Sequence, residues 1–319
     1  MKLYVIGNGF DLYHGLKTTY SSFGLYLKQK HWEVYELLLE HYGFGDLDPD
    51  LRSSLDDPLW CEFESSLAEL DTGTVLEANM DYMPVYAADD FRDRDRYAFQ
   101  FEMERVLGLL TSELYKAFKE FILDVEFPPF EESKAVNLDK DALYLNFNYT
   151  ETLSKYYEIP DSNVLFIHEK AEGNAGDIVL GHGIDPREFQ EKPVEPPEGL
   201  SDEEYELWAE EQSNQYDYSF ELGKYVINQY FQKTFKGTEK IIENNIEFFD
   251  KLSDVNEVYV LGHSLAEVDM PYFQKLVQSV KPDAKWIVTY YDPYEQQVHR
   301  NTMTGLGITK LSVVKLEQI

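Results

Sequence analysis

The chain has a single cysteine, Cys61, among its 319 residues. One thiol cannot form an internal disulfide and cannot build a zinc site from several cysteines. The sequence also lacks an apolar run near the ~18 residues of a membrane span, and its N-terminus lacks the apolar core of a signal peptide. We therefore expect a cytoplasmic protein without a membrane partner and without a bound metal.

Positive charge is scarce as well. The chain has 28 lysine and arginine residues against 60 aspartate and glutamate residues, which gives a net charge of −32. Such a surface repels nucleic-acid phosphates at long range, so the composition disfavours a nucleic-acid partner. A hydrophobic content of 43% still supports a substantial core. These totals favour a folded protein and leave open a small local basic pocket, a protein partner or a homo-oligomer.

Seven apolar segments predict β-strands, and most are continuous runs, as expected for strands covered on both faces. Two long blocks with helical periodicity, about 20–135 and 200–252, separate them. This order predicts a single α/β domain over 1–319, with an open, mostly parallel Rossmann-like sheet and large helical insertions. The predicted strands are Lys2–Ile6, Ala142–Phe147, Val164–His168, Asp177–Leu180, Glu257–Leu261, Lys285–Tyr291 and Ile308–Leu316.

The first strand ends in the glycine-bracketed turn Gly7–Asp11. Backbone N–H groups of such a turn can face phosphates at the carboxyl edge of a sheet, where ligands bind in open α/β folds. Leu12 stands where a dinucleotide fingerprint has its third glycine. The motif alone therefore also fits a plain turn with Asn8 in the left-handed conformation.

The second strand ends in Asn146–Thr150. Asn146 and Asn148 face the same way because side chains alternate along a strand, so their amides could bind ribose hydroxyls or orient a water. Asn148 or Thr150 could instead cap a helix over 151–157.

Histidines follow the next two predicted strands. His168 ends one of them, where a near-neutral pKa suits proton transfer, although a histidine there can equally be a core residue. His182, in Gly181–Gly183, forms either a second wall of the same cleft or part of a turn. Of the seven histidines in the chain, four lie at or just beyond predicted strand ends, which favours an active cleft. They are His14, His168, His182 and His263.

The segment Gly262–Ala266 follows the strand Glu257–Leu261 and is followed by Asp269. It supplies a glycine turn, the hydroxyl of Ser264 and a carboxylate, or simply a strand–helix connection with Ser264 as the helix cap. In the first helical block, Glu62 or Glu64 could reach the same edge.

Together these motifs resemble the AbiH family of bacterial abortive-infection proteins, which act in phage defence. The resemblance rests on Gly7–Tyr20, Phe147–Thr150, the strand that ends in His168, and Gly262–Leu265. It extends from residue 1 to about residue 292. AbiH proteins in turn resemble the sirtuin-like fold, a parallel sheet that binds NAD at the carboxyl ends of its strands.

That resemblance implies roles for the motifs. Gly7–Gly9 would line the phosphates, Asn148 would address the ribose on the nicotinamide side, His168 would be the acid/base, and Ser264 would hold the adenosine side. Sirtuin deacylases carry a four-cysteine zinc module that this chain cannot build, so deacylation is disfavoured. Glu169 follows His168 where these folds usually have glycine, which leaves His182 as a competing match.

The leading hypothesis is hydrolysis of NAD or a related nucleotide. Cleavage of the N-glycosidic bond creates an oxocarbenium-like centre, which requires negative or dipolar groups and a positioned water. Asp11 or Asp269 could stabilise that positive charge. The predicted catalytic residues are Asn148, His168 and Asp11, and the predicted ligand-binding residues are Gly7, Asn8, Gly9, Phe10, His14, Thr150, His182, Gly262, His263, Ser264 and Asp269.

Two alternatives remain open. In the first, the cleft binds a nucleotide as a signal and the acidic helical blocks dock a protein partner. In the second, the chain is a serine hydrolase: Gly262–Ala266 is one glycine short of the nucleophile motif, and Ser264, Asp292 and His299 follow in the required order.

Overall fold

The computed structural model describes residues 1–172 and 178–319. In this part of the chain six parallel strands form one open sheet in the order β3-β2-β1-β4-β5-β6. This is the order of doubly wound nucleotide-binding sheets, in which the direction of winding reverses between β1 and β4. The strands are β1 (Lys2–Ile6), β2 (Leu143–Asn146), β3 (Val164–Phe166), β4 (Glu257–Leu261), β5 (Lys285–Tyr290) and β6 (Leu311–Lys315).

The predicted α/β class and parallel sheet are therefore confirmed, with six of the seven predicted strands present. The prediction of a strand at Asp177–Leu180 is wrong for residues 178–180, and Asp177 lies outside the described residues. Contacts with loops, and not with a neighbouring strand, satisfy the backbone hydrogen-bonding groups of Val179. Its N–H donates to the His168 carbonyl, and its carbonyl accepts the Tyr149 hydroxyl. His168 itself lies in a turn two residues beyond β3.

Both faces of the sheet are covered. Along β1, Leu3 and Val5 belong to one buried cluster, whereas Tyr4 and Ile6 belong to another. This division follows from the two-residue period of a strand, and it explains why the strand is apolar throughout.

Most of the described helices lie in the two predicted blocks, and four lie outside them, at 8–13, 152–157, 270–279 and 293–305. Residues 98–124 form one continuous helix with a π-helical segment at Leu109–Glu113. Apart from short 3₁₀ turns, the described helices are α1 (Asn8–Tyr13), α2 (Tyr20–Lys30), α3 (Trp32–Tyr42), α4 (Arg52–Leu55), α5 (Pro58–Cys61), α6 (Phe63–Ser66), α7 (Thr72–Ala78), α8 (Ala98–Gly108), α9 (Leu114–Asp124), α10 (Thr152–Tyr157), α11 (Asp202–Gln215), α12 (Tyr218–Lys233), α13 (Thr238–Asn244), α14 (Ile246–Asp250), α15 (Met270–Ser279) and α16 (Pro293–Gly305).

The first helical insertion has its own aromatic core, which includes Phe23, Trp60 and Phe63. Tyr149 and Leu180, which follow strands β2 and β3 in the chain, belong to the same cluster. The insertion is thus packed against the loops at the carboxyl edge of the sheet, and this contact positions the site described next.

Candidate functional site

A buried cluster of charged side chains lies where the insertion meets the carboxyl edge of the sheet. Lys236, between α12 and α13, donates hydrogen bonds from Nζ to Glu64 Oε2 at 2.7 Å and to Asp269 Oδ1 at 3.0 Å. Its side chain is completely buried. Glu64 comes from α6 of the insertion, and Asp269 comes from the segment after β4. The cluster therefore joins three distant parts of the chain.

Two histidines face the shared carboxylate. His168 Nε2 lies 3.8 Å from Asp269 Oδ1, and His263 Nε2 lies 3.6 Å from Asp269 Oδ2. Burial, reinforced by the positive charge of Lys236, lowers the pKa of His263 to about 3 and lowers that of His168 well below its usual value. Both rings are uncharged at neutral pH.

Lys236 keeps its charge in spite of its burial. Desolvation alone would lower the pKa of its ammonium, but the Glu64 and Asp269 carboxylates outweigh desolvation and raise that pKa. A buried ion pair is costly to desolvate and adds little net stability compared with apolar packing. Its presence at the carboxyl edge of the sheet, between three distant parts of the chain, therefore indicates a candidate functional site.

Two buried polar atoms beside the cluster have no hydrogen-bond partner among the described residues: His168 Nε2 and the Tyr272 hydroxyl oxygen. The two rings are 5.9 Å apart between centroids. Tyr20, by contrast, donates its hydroxyl to Glu64 Oε1 at 2.5 Å. Because buried polar groups are nearly always paired, the free atoms indicate where a ligand or water would bind.

The Gly181–Gly183 segment holds the backbone that carries Lys236. The His182 N–H donates to the Thr234 carbonyl at 2.9 Å, and the Lys236 N–H donates to the His182 carbonyl at 2.8 Å. A Cβ at Gly181 would lie 2.0 Å from the Thr234 carbonyl oxygen, so only glycine permits this approach.

The imidazole of His182 has different surroundings from those of His168. It packs against Phe189 and Phe231, and its Nδ1 accepts the Ile184 N–H. Burial lowers its pKa to about 4. Of the two competing histidines, the structure therefore places His168 beside the charged cluster.

The glycine turn after β1 packs directly against the loop after β4. The Gly7 N–H donates to the Leu261 carbonyl at 3.0 Å, and the Gly9 N–H donates to the Gly262 carbonyl at 2.7 Å. Gly262 has a φ of 63°, and a Cβ there would lie 2.2 Å from the Phe10 nitrogen. Two of the N–H groups expected to face phosphates are thus bound to carbonyls in this structure.

Asn8 is exposed, and its side chain exchanges two hydrogen bonds with Thr18. The Thr18 hydroxyl donates to Asn8 Oδ1 at 2.6 Å, and Asn8 Nδ2 donates to the Thr18 carbonyl at 3.0 Å. These bonds hold the loop between α1 and α2.

Asp11 is buried, and it accepts hydroxyl hydrogen bonds from Thr150 at 2.5 Å and from Thr152 at 2.6 Å. Burial raises the pKa of its carboxyl to about 6. Asn148 Nδ2 donates to the Gly7 carbonyl at 3.1 Å. The structure thus brings these predicted residues together as a polar connection between α1 and the loop after β2.

Phe10 and His14 belong to a neighbouring aromatic group. Phe10 is completely buried, with its ring 4.6 Å from that of His14 between centroids. His14 Nδ1 lies 2.8 Å from the Phe10 carbonyl oxygen, and Nε2 lies 2.6 Å from the Tyr157 hydroxyl, which accepts the Val136 N–H at 3.1 Å. Burial lowers the pKa of His14. These bonds occupy both ring nitrogens within the fold.

Two members of the serine-hydrolase alternative, Asp292 and His299, bond to other groups. Ser264 is exposed, whereas His299 is buried with Nδ1 3.2 Å from the Thr289 carbonyl oxygen. Asp292 caps α16 by accepting the Tyr294 N–H at 2.8 Å. The carboxylate that should orient the histidine is therefore used as a helix cap.

Sequence reasoning did not find Lys236 or Tyr272. A lysine just after an amphipathic helix resembles an ordinary solvated residue near a C-terminus, and a tyrosine early in α15 resembles a core residue. Glu64 was one of two acidic candidates. The feature that distinguishes Lys236 is the hydrogen bond from its backbone N–H to the His182 carbonyl. This is a tertiary contact, so the local sequence around Lys236 does not reveal it.

Residues 1–172 and 178–319 contain no helix with the length and apolarity needed to cross a bilayer. The same residues contain no group of three or more histidine, cysteine, aspartate or glutamate side chains arranged to hold a metal ion.

Comparison with known proteins identifies the family. The family model described as "Bacteriophage abortive infection AbiH" matches residues 3–290. No curated protein and no solved structure matched the chain. The sirtuin-like resemblance and the nucleotide ligand remain predictions. Because the match covers most of the sequence, the chain belongs to the AbiH family of bacteriophage abortive infection proteins.

Proposed function

We propose that this AbiH protein binds NAD or a related nucleotide at the carboxyl edge of its sheet and hydrolyses the N-glycosidic bond. The observation that carries the proposal is the convergence of Asp269, uncharged His168 and the Lys236–Glu64 pair beside the β1–β4 reversal point. In open α/β sheets, ligands bind in the crevice at such a point.

The chemistry of the cluster suits this bond. Hydrolysis passes through a sugar centre with positive character, which a nearby carboxylate stabilises in a water-poor site. Of the two carboxylates considered for this role, Asp269 faces the histidines, whereas Asp11 is occupied by the hydroxyls of Thr150 and Thr152. Asp269 is therefore the better candidate.

The proposed hydrolysis uses water as its only co-reactant and involves no change of oxidation state. A water oxygen forms a bond to the ribose carbon as the bond from that carbon to nicotinamide breaks. The bonding electron pair stays on the nicotinamide nitrogen, so the cationic ring leaves as neutral nicotinamide. The proton lost by water passes to His168 Nε2 and then to solvent. ADP-ribose is the second product.

The experiment is direct measurement of nicotinamide release from NAD by the purified protein, alone and with phage-infected lysate. His168→Gln removes the proposed base and should lower the rate by about 10²–10⁴-fold. His31→Gln, at a partly exposed histidine paired with Glu120, is the matched control and should keep the wild-type rate.

Failure to detect release in an assay sensitive to about one turnover per hour, with and without lysate, would contradict hydrolysis. A thermal-shift panel of NAD, NADP, ADP-ribose and ATP identifies the ligand. Binding without turnover would favour the nucleotide-sensing alternative.

A further inference from the structure

We propose that Lys236 is a positioning residue whose ammonium holds the Asp269 carboxylate in place and disfavours protonation of His168, so that both side chains present acceptor atoms to the ligand. The identity of that ligand rests on the proposed function. The role of Lys236 rests on the geometry of the cluster.

The ammonium of Lys236 lies between two carboxylates. Lys236 Nζ lies 3.0 Å from Asp269 Oδ1, the same oxygen that lies 3.8 Å from His168 Nε2. Glu64 holds the ammonium from the other side at 2.7 Å. The positively charged partner of Asp269 is therefore Lys236. Without this lysine, a protonated histidine would be the group available to balance the carboxylate.

His168 is surrounded by charged and titratable side chains. The charged or titratable side chains that face it, directly or through Asp269, are Glu64, Tyr149, Lys236, His263, Asp269 and Tyr272. Lys236 is the cation in this group. Without it, two carboxylates would share a buried site with two uncharged histidines, and the histidine pKa values would rise.

The cluster can offer hydrogen-bond acceptors to a ligand. The Phe147 backbone favours the protonated form of the His168 ring, but burial and the charge of Lys236 outweigh it and lower the pKa. In the tautomer with its proton on Nδ1, the neutral ring carries its lone pair on Nε2, the atom without a partner. The Asp269 side chain adds further acceptor oxygens. The complementary ligand group is a pair of hydroxyl donors, such as a ribose diol.

A purely structural role predicts something different. Lys236 would then only hold the insertion against the sheet, and its loss would lower stability without changing the protonation of the histidines. The protonation of His168 in the free protein distinguishes the two roles, and its measurement requires no substrate.

The experiment is NMR of protein labelled at histidine ring nitrogens, recorded as a function of pH. His168→Gln assigns the His168 signal among the seven histidines. In Lys236→Met, we expect the His168 titration midpoint to rise by at least about one pH unit, because a cation close to the ring is lost and the carboxylates are left uncompensated. Lys224→Met, at another lysine between two glutamates, should leave the midpoint unchanged.

If Lys236→Met does not fold, Glu64→Gln/Lys236→Met removes one carboxylate together with the ammonium, and a smaller rise in the same direction is expected. An unchanged His168 midpoint in a folded variant would overturn the proposal. This readout is independent of nicotinamide release, so it can support the role of Lys236 even if NAD hydrolysis is absent.

Discussion

Lys236 and Glu64 are 172 residues apart in the chain, yet Lys236 Nζ donates a 2.7 Å hydrogen bond to Glu64 Oε2. One partner follows α12 and the other lies on a short helix of the first insertion. Through Asp269 the same ammonium also reaches the loop after β4. A single buried cation thus ties both helical blocks to the carboxyl edge of the sheet.

Removal of this ammonium should destabilise the fold. Lys236→Met leaves the buried Glu64 and Asp269 carboxylates without their cation, and breaking a buried ion pair in this way costs about 3–5 kcal/mol. The measurement is urea denaturation at pH 7. Because the Glu64→Gln/Lys236→Met double variant removes a carboxylate as well, it should recover part of the loss.

Lys224 provides the matched comparison, since it also lies between two glutamates but remains partly exposed. Lys224→Met should change the free energy of unfolding by less than about 1 kcal/mol. Equal losses in the two methionine variants would contradict a special role for the buried cluster.

Gly262→Ala should disrupt the contact between the loops after β1 and β4. The residue has a φ of 63°, and an added Cβ would lie 2.2 Å from the Phe10 nitrogen. A non-glycine residue in this conformation costs about 1–3 kcal/mol, and the steric clash adds to this cost. Thermal denaturation should therefore show a clearly lower Tm.

Gly108→Ala is the control for that substitution. Gly108 has helical dihedral angles, and a Cβ there would meet nothing within 4 Å. Alanine should stabilise this position by about 0.5–1 kcal/mol. If both alanine variants changed the Tm in the same direction, the explanation from backbone geometry would be wrong.

Asp11 should make stability fall as pH rises through the mildly acidic range. Burial raises the pKa of its carboxyl to about 6 in the folded protein. Between pH ~4 and pH ~6 the unfolded chain loses this proton while the folded chain retains it, so unfolding becomes more favourable by about 3 kcal/mol. Above pH ~6 the loss stays constant.

The measurement compares the free energies of unfolding of Asp11→Asn and the wild type at several pH values. The free energy of unfolding of Asp11→Asn should increase relative to that of the wild type as the pH rises across this window. The reason is that asparagine cannot ionise and can still hydrogen-bond to the two threonine hydroxyls. Asp46→Asn should show the opposite trend, since Lys28 and Tyr35 lower the pKa of Asp46. A difference that does not depend on pH would contradict the assignment.

Tyr157→Phe should test whether His14 is structural. The Tyr157 hydroxyl joins the His14 ring to the Val136 N–H, and its removal leaves two partly buried polar groups unpaired. We expect a loss of about 1–3 kcal/mol in chemical denaturation and an unchanged nicotinamide-release rate. Tyr13→Phe, at a more exposed ring nearby, should be nearly neutral. A lost activity with unchanged stability would instead return His14 to the ligand site.

Much of the fold was predictable because strand burial leaves a local signature. The apolar runs of β1 and β4 gave both strands with the correct bounds, since both faces of the sheet are covered. The segment 178–180 has the same kind of run but no strand. Its apolar side chains are buried against the insertion, a role that composition cannot distinguish from a place in the sheet.

The candidate site was predictable only in part. The parallel arrangement brings His168, His263 and Asp269 to one edge, as expected from strand ends. The turn after β1 uses two of its N–H groups to bind the neighbouring loop, which depends on how closely β1 and β4 pack. Lys236 has no local pattern that separates it from a surface lysine.

The sequence by itself determined the class of sheet, the places where helices are inserted, and the set of polar residues available at the strand ends. These properties follow from periodicity and from the rule that carboxyl ends of parallel strands share an edge. Only the tertiary structure decided which polar groups meet. Burial and distance set the charge of Lys236 and the neutrality of His168, and both depend on segments far apart in the chain.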